Sequence, residues 1–363
     1  MRHLPTPSLI LDRNRLEANL ARMRSRAETL GVRLRPHMKT AKSIDVARLA
    51  LHPGEGITVS TLAEAEAFAA HGITDILYAV GFEPGKAPRA EALASRGIDL
   101  GVIVDSVEMA DWISGSGLGV GVWLEIDADG TRSGFDPADA ALTHAAHVLG
   151  RRFRGVMTHA GGSYACSTTG DIARSASGER AAVVRAAEAI RAVGIEVPGV
   201  SVGSTPTATF AADLSDVTEM RPGVFMFQDL YQAGLGVCTI DDVALSVLAA
   251  VVGHRWNGEL VIDAGALALS LDRSTSRQTL DWGFGAVCDE GGTLIEGLIV
   301  RAVTQEHGIV AARTGAIDPA GFPIGSRLRV LPNHACMTAA AHGEYHVINH
   351  GRVTATWPRI NRW

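Results

Sequence analysis

The sequence predicts an α/β chain, with a β/α-repeat domain first and an all-β domain after it. Three observations carry this. Between Arg33 and Leu230, eight strand-like segments alternate with helical patterns. Several of those segments, such as Asp75-Ile76-Leu77-Tyr78-Ala79-Val80, are near-continuous apolar runs, the signature of strands buried on both faces of a parallel sheet. After Tyr231 the helical periods nearly vanish, and short strand-like segments separated by Gly, Asp and Pro turns take over. Eight β/α repeats over about 200 residues is the length of a compact TIM-type barrel. An open doubly wound sheet is the other arrangement that the pattern alone allows.

In order, Ser8-Leu9-Ile10-Leu11-Asp12 is a short apolar strand, and Asp12 or Asn14 can cap a helix to about Leu30, ended by Gly31. Val32-Arg33-Leu34-Arg35 alternates as a strand does, and Pro36 bars its continuation. Ile44, Val46, Ala47, Leu49 and Ala50 then recur at helical spacing. Residues 56–60 form the next strand, and Thr61 with Glu64 makes a capping box for a helix to Ala70. Strands at 75–80, 100–104, 120–126, 155–158, 199–202 and within 217–227 follow, with helices at 106–113, 137–149 and 179–193 among them. Beyond Tyr231, strands are expected at 243–252, 260–266, 285–288, 294–303, 309–312, 327–331, 345–348 and 352–357.

The 363 residues suffice for one large domain and a smaller one. A net charge of −6 without a basic cluster argues against nucleic acid as a partner. No apolar run approaches the roughly 20 residues of a membrane span. The first residues enter a strand at once and show no signal peptide. Cys166, Cys238, Cys288 and Cys336 are scattered without paired spacing. A reducing, cytoplasmic setting is therefore expected.

The chemistry centres on Arg35-Pro36-His37-Met38-Lys39-Thr40-Ala41-Lys42, which places Lys39 in the loop after an early strand, at the end of a β/α sheet where reactions are usually carried out. Gly203-Ser204-Thr205-Pro206-Thr207 follows another strand. Its small and hydroxyl residues could close around a phosphate, though the same string also makes an ordinary turn. Other strand ends carry Arg132-Ser133-Gly134, Thr158-His159-Ala160-Gly161-Gly162-Ser163-Tyr164 and Arg221-Pro222-Gly223-Val224. In the last domain, Pro332-Asn333-His334-Ala335-Cys336 is read as a strand, on which His334 and Cys336 would point the same way and could grip one metal.

The Lys39 phrase resembles the pyridoxal-phosphate lysine segment of the alanine-racemase-like enzymes, in the branch of D-serine dehydratases and D-threonine aldolases. The likeness runs from Thr6-Pro7 to Trp363. It implies a TIM-type (β/α)8 barrel over residues 12–230, and a C-terminal all-β domain over 231–363 that the first strand, residues 1–11, joins. It also implies that Lys39 bonds the cofactor through its amine. Arg221 would face the pyridine nitrogen, with Gly223 and Val224 beside the phosphate together with Gly203, Ser204 and Thr205. Arg132 would reach the phenolic oxygen, His159 would lie on the ring face, and Tyr164 would stand in reach of the same site. D-threonine aldolases resemble this region but carry histidine near the position of Tyr164, so tyrosine leans the reading toward a dehydratase. D-serine dehydratases carry His-x-Cys as zinc ligands where His334 and Cys336 stand, and zinc, manganese or cobalt would suit the pair. Gln305-Glu306-His307-Gly308 would support that metal.

The resemblance thus implies a homodimeric lyase with Lys39 and Tyr164 at the chemistry. It would eliminate water from a β-hydroxy amino acid, giving oxaloacetate and ammonia from 3-hydroxyaspartate or pyruvate and ammonia from D-serine. Retro-aldol cleavage to glycine and an aldehyde, amino-acid racemisation and non-catalytic cofactor carriage are the alternatives. The β domain and the metal pair speak against the carrier. Arg221 beside the pyridine nitrogen would favour the racemase.

Overall fold

The structure, a computed structural model, describes every residue except 2 and 362. The chain forms two compact units, one joining Met1–Ala21 to Val224–Asn361 and the other built from Arg22–Gly223.

After an N-terminal strand, β1 (Ser8–Asp12), come β2 (Arg33–Leu34), β3 (Ile57–Val59), β4 (Asp75–Gly81), β5 (Asp99–Val104), β6 (Gly121–Ile126), β7 (Phe153–Thr158), β8 (Gly199–Val202) and β9 (Glu219–Met220). The last eight form one parallel sheet in the order β2-β9-β8-β7-β6-β5-β4-β3. Its two ends meet where His37 bridges Thr58. There Thr58 N–H donates to the Pro36 carbonyl (3.0 Å) and Met38 N–H donates to the Thr58 carbonyl (2.7 Å). The sheet is therefore a closed ring, and the open doubly wound alternative is excluded. Leu77, Ile103, Trp123 and Met157 pack together on it. A Cβ on Gly199 would fall 2.2 Å from Trp123 Cη2, so only glycine leaves room for that indole.

Local chemistry explains where the elements differ from expectation. Thr61 caps Leu62–Ala70 as anticipated, its hydroxyl accepting Glu64 N–H at 3.0 Å. The helix after β7 spans Thr169–Ala192, beginning well before residue 179, with the Thr168 hydroxyl accepting Asp171 N–H at 3.1 Å. Gly170 and Gly178 weaken the helical signal there, and the cap supplies the start. The strand expected within 217–227 is only β9, because Pro222 removes a donor and the chain then enters the 3-10 turn Val224–Met226.

The other unit holds β10 (Leu245–His254), β11 (Leu260–Ile262), β12 (Ala286–Asp289), β13 (Leu294–Val303), β14 (Gly308–Ala312), β15 (Arg327–Leu331), β16 (Glu344–Asn349) and β17 (Arg352–Pro358). β10, β11, β14, β13, β12 and β15 pair antiparallel in that cyclic order and close a second ring. β1 lies antiparallel to β10 and parallel to β16, and β17 completes the sheet. The strand expected at 260–266 stops at Ile262, where Asp263 turns to accept Ala250 N–H at 2.7 Å, and the short helix Ala266–Leu269 follows. No helix among the described residues is long and apolar enough to cross a membrane.

Candidate active site

Lys39 sits in the turn just past β2. Met38, Thr40 and Ala41 are fully buried, whereas Lys39 is exposed, so the turn is anchored on both sides of its amine. Gly223 packs against the same segment, where a Cβ would come within 3.0 Å of the His37 carbonyl oxygen. Val224, which follows it, is buried.

Arg221 follows β9 and is buried. Its guanidinium donates to the Thr158 carbonyl at 2.6 Å and to the Ser201 hydroxyl. Ser201 donates onward to Glu219 at 2.7 Å, and Glu219 accepts from Arg35 Nε at 2.9 Å. Arg35 in turn forks onto Asp75 with two contacts of 2.8 Å. This chain of alternating charges holds Arg221 in one orientation and links β2, β4, β8 and β9.

Lys39, Arg132, His159, Arg221 and His37 lie close enough to act on one another's charge. Burial first, then Arg132, Lys39 and Arg221, push the His159 imidazolium down to about 3. Burial, Lys39, Arg221, His159 and Arg132 hold His37 well below its usual range. Both rings are neutral at pH 7, beside Lys39 and the two arginines. Such a concentration of positive charge at strand ends fits a phosphate-bearing anionic group, and the exposed Lys39 amine fits one that bonds a lysine.

Tyr164, on the 3-10 turn Gly161–Ala165, has its ring centroid 6.2 Å from that of His159, with the planes 31° apart. Ser163 ties this turn to the next strand end, its hydroxyl donating to the Ala160 carbonyl (2.7 Å) and lying 3.1 Å from the Ser204 hydroxyl. Ser204 accepts Thr207 N–H at 3.1 Å, and Thr205 is buried beside it. Gly203 N–H points elsewhere, donating to Glu179 Oε1 at 3.1 Å. The fold thus gathers Lys39, Arg132, His159, Tyr164, Gly203, Ser204, Thr205, Arg221 and Gly223 around the ends of the barrel strands.

In the other unit, the strand geometry expected for His334 and Cys336 is corrected. His334 is the N-cap of a helix, Ala335–Ala340, so Cys336 lies in its first turn and the pair owes its proximity to the cap rather than to a pleat. The helix start is fixed by the buried Asp229, whose carboxylate accepts Ala335 N–H at 3.0 Å. His334 Nδ1 lies 3.5 Å from Asp272, and the imidazole also hydrogen-bonds Cys336. Burial opposes the imidazolium, but Asp272, Cys336 and the charge of Asp229 outweigh it and raise it to about 11. Excess negative charge around a nitrogen and a sulfur donor suits a divalent cation. Among the described residues no three His, Cys, Asp or Glu side chains form a metal-holding group. Gln305, Glu306 and His307 are exposed.

Sequence reasoning missed Glu179, Ser201, Glu219, Asp272 and Asn333. Asn333 is buried and pins the segment before His334, donating to the carbonyls of Asp272 (2.8 Å) and Gly283 (2.7 Å). Its place directly before His334 was the one available signal. The others act across long sequence separations and carry no local pattern.

Comparison with known proteins agrees with this geometry. The family model for the alanine racemase N-terminal domain matches residues 11–230, and one for a serine dehydratase domain matches residues 244–348. The chain belongs to the alanine-racemase-like family of pyridoxal-phosphate enzymes. Within it, the chain is 48% identical to D-threo-3-hydroxyaspartate dehydratase of Delftia sp. (strain HT23), over 99% of this chain and 98% of that one. It is 33% identical to D-serine dehydratase of Dictyostelium discoideum, over 96% and 94% of the two chains. The solved structure of the Delftia enzyme superposes with a TM-score of 0.97 at 47% identity, covering 100% of this chain and 99% of that one. The same enzyme has been solved as a cysteine-to-alanine variant in a metal-free form, also at a TM-score of 0.97, with 46% identity over 100% and 99% of the chains.

Proposed function

We propose that this protein is a pyridoxal-phosphate- and metal-dependent dehydratase of β-hydroxy amino acids, acting on D-configured 3-hydroxyaspartate with D-serine as the second candidate. The observation that carries this is the end-to-end likeness to D-threo-3-hydroxyaspartate dehydratase. The cation cluster around Lys39 supports it independently.

Bound pyridoxal phosphate supplies an electron sink that acidifies the substrate's α-proton. Lys39 is assigned to hold the cofactor through its amine and to take that proton. Arg221, oriented by Thr158 and Ser201, is assigned to the pyridine nitrogen, Arg132 to the phenolic oxygen and His159 to the ring face. Tyr164 stands beside His159 and is assigned to the reacting end of the substrate. The hydroxyls of Ser204 and Thr205, with Gly223 and Val224, are assigned to the phosphate, and Gly203, whose N–H is spent on Glu179, to the shape of their turn. His334 and Cys336 would hold a divalent ion of zinc, manganese or cobalt, which would supply Lewis acidity toward the β-hydroxyl. The metal-free cysteine variant of the Delftia enzyme supports a cysteine ligand. We further propose a homodimer working in the cytoplasm, on the strength of the family resemblance and of cysteines scattered without paired spacing.

The test is incubation of purified protein, with cofactor and metal, with D-threo-3-hydroxyaspartate or D-serine. Ammonia with oxaloacetate or pyruvate supports the dehydratase. Glycine with glyoxylate from 3-hydroxyaspartate would mean an aldolase, the activity named for relatives 28% identical to this chain. Conversion between D and L forms without ammonia would mean a racemase.

A further inference from the structure

Glu179 lies within the helix Thr169–Ala192 and is 3% exposed. Its Oε1 accepts two backbone donors at once, Ala160 N–H at 2.9 Å and Gly203 N–H at 3.1 Å. The carboxylate also takes a hydrogen bond from the Thr207 side chain. Ala160 directly follows His159, and Gly203 opens the Gly203-Ser204-Thr205 turn. The two loops meet a second time through a hydrogen bond between the His159 imidazole and the Gly203 backbone. They meet a third time where the Ser163 and Ser204 hydroxyls lie 3.1 Å apart.

Burying a carboxylate is costly unless its lone pairs are used. Here they are used to fasten the ends of β7 and β8 together. Gly203 N–H is spent on this contact, so the glycine serves the turn's position, and the residues beside it, Ser204 and Thr205, are the ones assigned to an anion.

We infer that Glu179 is a positioning residue that sets the Gly203-Ser204-Thr205 turn against the His159 loop, and thereby gives the protein its preference for pyridoxal phosphate over unphosphorylated pyridoxal. This rests on the reading of the site as a pyridoxal-phosphate site. Glutamine at 179 keeps an acceptor oxygen for both N–H groups and presents its amide to the Thr207 hydroxyl, which can accept. Aspartate is one methylene too short to span both loops, and alanine leaves both donors unserved.

The experiment titrates apoprotein of the wild type, Glu179→Gln, Glu179→Asp and Glu179→Ala with pyridoxal phosphate and with pyridoxal, following absorbance, with circular dichroism to confirm folding. Glu179→Gln should stay within about threefold of wild type for both ligands. Glu179→Ala should lose on the order of 10- to 100-fold for pyridoxal phosphate, the usual scale for a residue supporting a ligand site, and within about threefold for pyridoxal. Should the alanine variant not fold, Glu179→Asp carries the test with the same expectation. Equal losses for both ligands, an unchanged preference in the aspartate or alanine variant, or a glutamine variant as impaired as alanine would each overturn the inference. Wild type binding neither ligand would instead overturn the reading of the site itself, and the inference with it.

Discussion

The Lys42 ammonium lies 3.0 Å from Glu64 Oε1, an ion pair whose carboxylate is fully buried. Lys42 takes a left-handed backbone conformation, φ 44°, to make it. The same carboxylate accepts from the hydroxyls of Ser60 (2.9 Å) and Thr61 (3.0 Å). The turn that presents Lys39 is thus bolted to the start of the helix Leu62–Ala70.

Glu64→Gln should therefore destabilise the protein, because it leaves a mostly buried ammonium without counter-charge. A loss of about 1–3 kcal/mol in urea unfolding is expected, below the full cost of breaking a buried pair because Lys42 keeps some solvent contact. The variant should also hold pyridoxal phosphate less tightly. A change under about 0.5 kcal/mol would show the pair to be idle.

This pair illustrates what could be read in the sequence. Thr61 and Glu64 announce a helix cap, a local pattern, and the cap is there. That Glu64 also binds Lys42 depends on a contact between two loops, which no periodicity encodes. The same holds for Glu219 and Arg35, partners across 184 positions. Strand alternation, Gly31 and Gly72 after their helices, and the clustered turn residues exposed the barrel. The Thr169–Ala192 helix was legible only in its second half, where alanine and valine restore the period after Gly178. His334 and Cys336 were found for a reason the fold corrects, since a helix cap and a strand can both bring residues two apart to one side.

Lys39→Ala should abolish the visible absorbance of lysine-bound pyridoxal phosphate and all turnover, while the melting temperature of the apoprotein stays close to wild type, since Lys39 is exposed. Retention of the lysine-bound absorbance band would move the attachment to another residue.

Cys336→Ala, or treatment with a chelator, should remove bound metal by elemental analysis and lower ammonia release by orders of magnitude, with cofactor absorbance preserved. Full-rate ammonia release from metal-free protein would remove the metal from the reaction.

Gly199→Ala places a methyl against Trp123, where the gap is 2.2 Å. Overpacking of this kind costs about 1–3 kcal/mol or more. Thermal unfolding should register it as a fall in melting temperature, and Trp123 fluorescence should shift with it. An unchanged melting temperature would mean the indole has room to move.

The depressed His159 sets a pH dependence for the apoprotein. Its ordinary value of 6.5 falls to about 3 on folding, so between those limits the unfolded chain binds a proton that the folded chain refuses. Stability should be unaffected by this group above pH 6.5 and should fall as pH drops below it, by no more than about 1.4 kcal/mol per pH unit. His37 adds in the same direction. His159→Asn should flatten the acid limb of the stability curve. An unaltered limb would assign the proton to other groups.

The first ring closes at a seam only a few residues long, and that seam is Pro36-His37-Met38, the three residues ahead of Lys39. A hoop with so short a fastening can spring open locally at the cost of a few hydrogen bonds, each worth about 1 kcal/mol net. Fraying of the hoop and displacement of the reactive amine are consequently one motion. The Lys42–Glu64 ion pair, which joins the turn after β2 to the helix after β3, acts as a clasp across that seam, so integrity of the pair and of the hoop should rise and fall together.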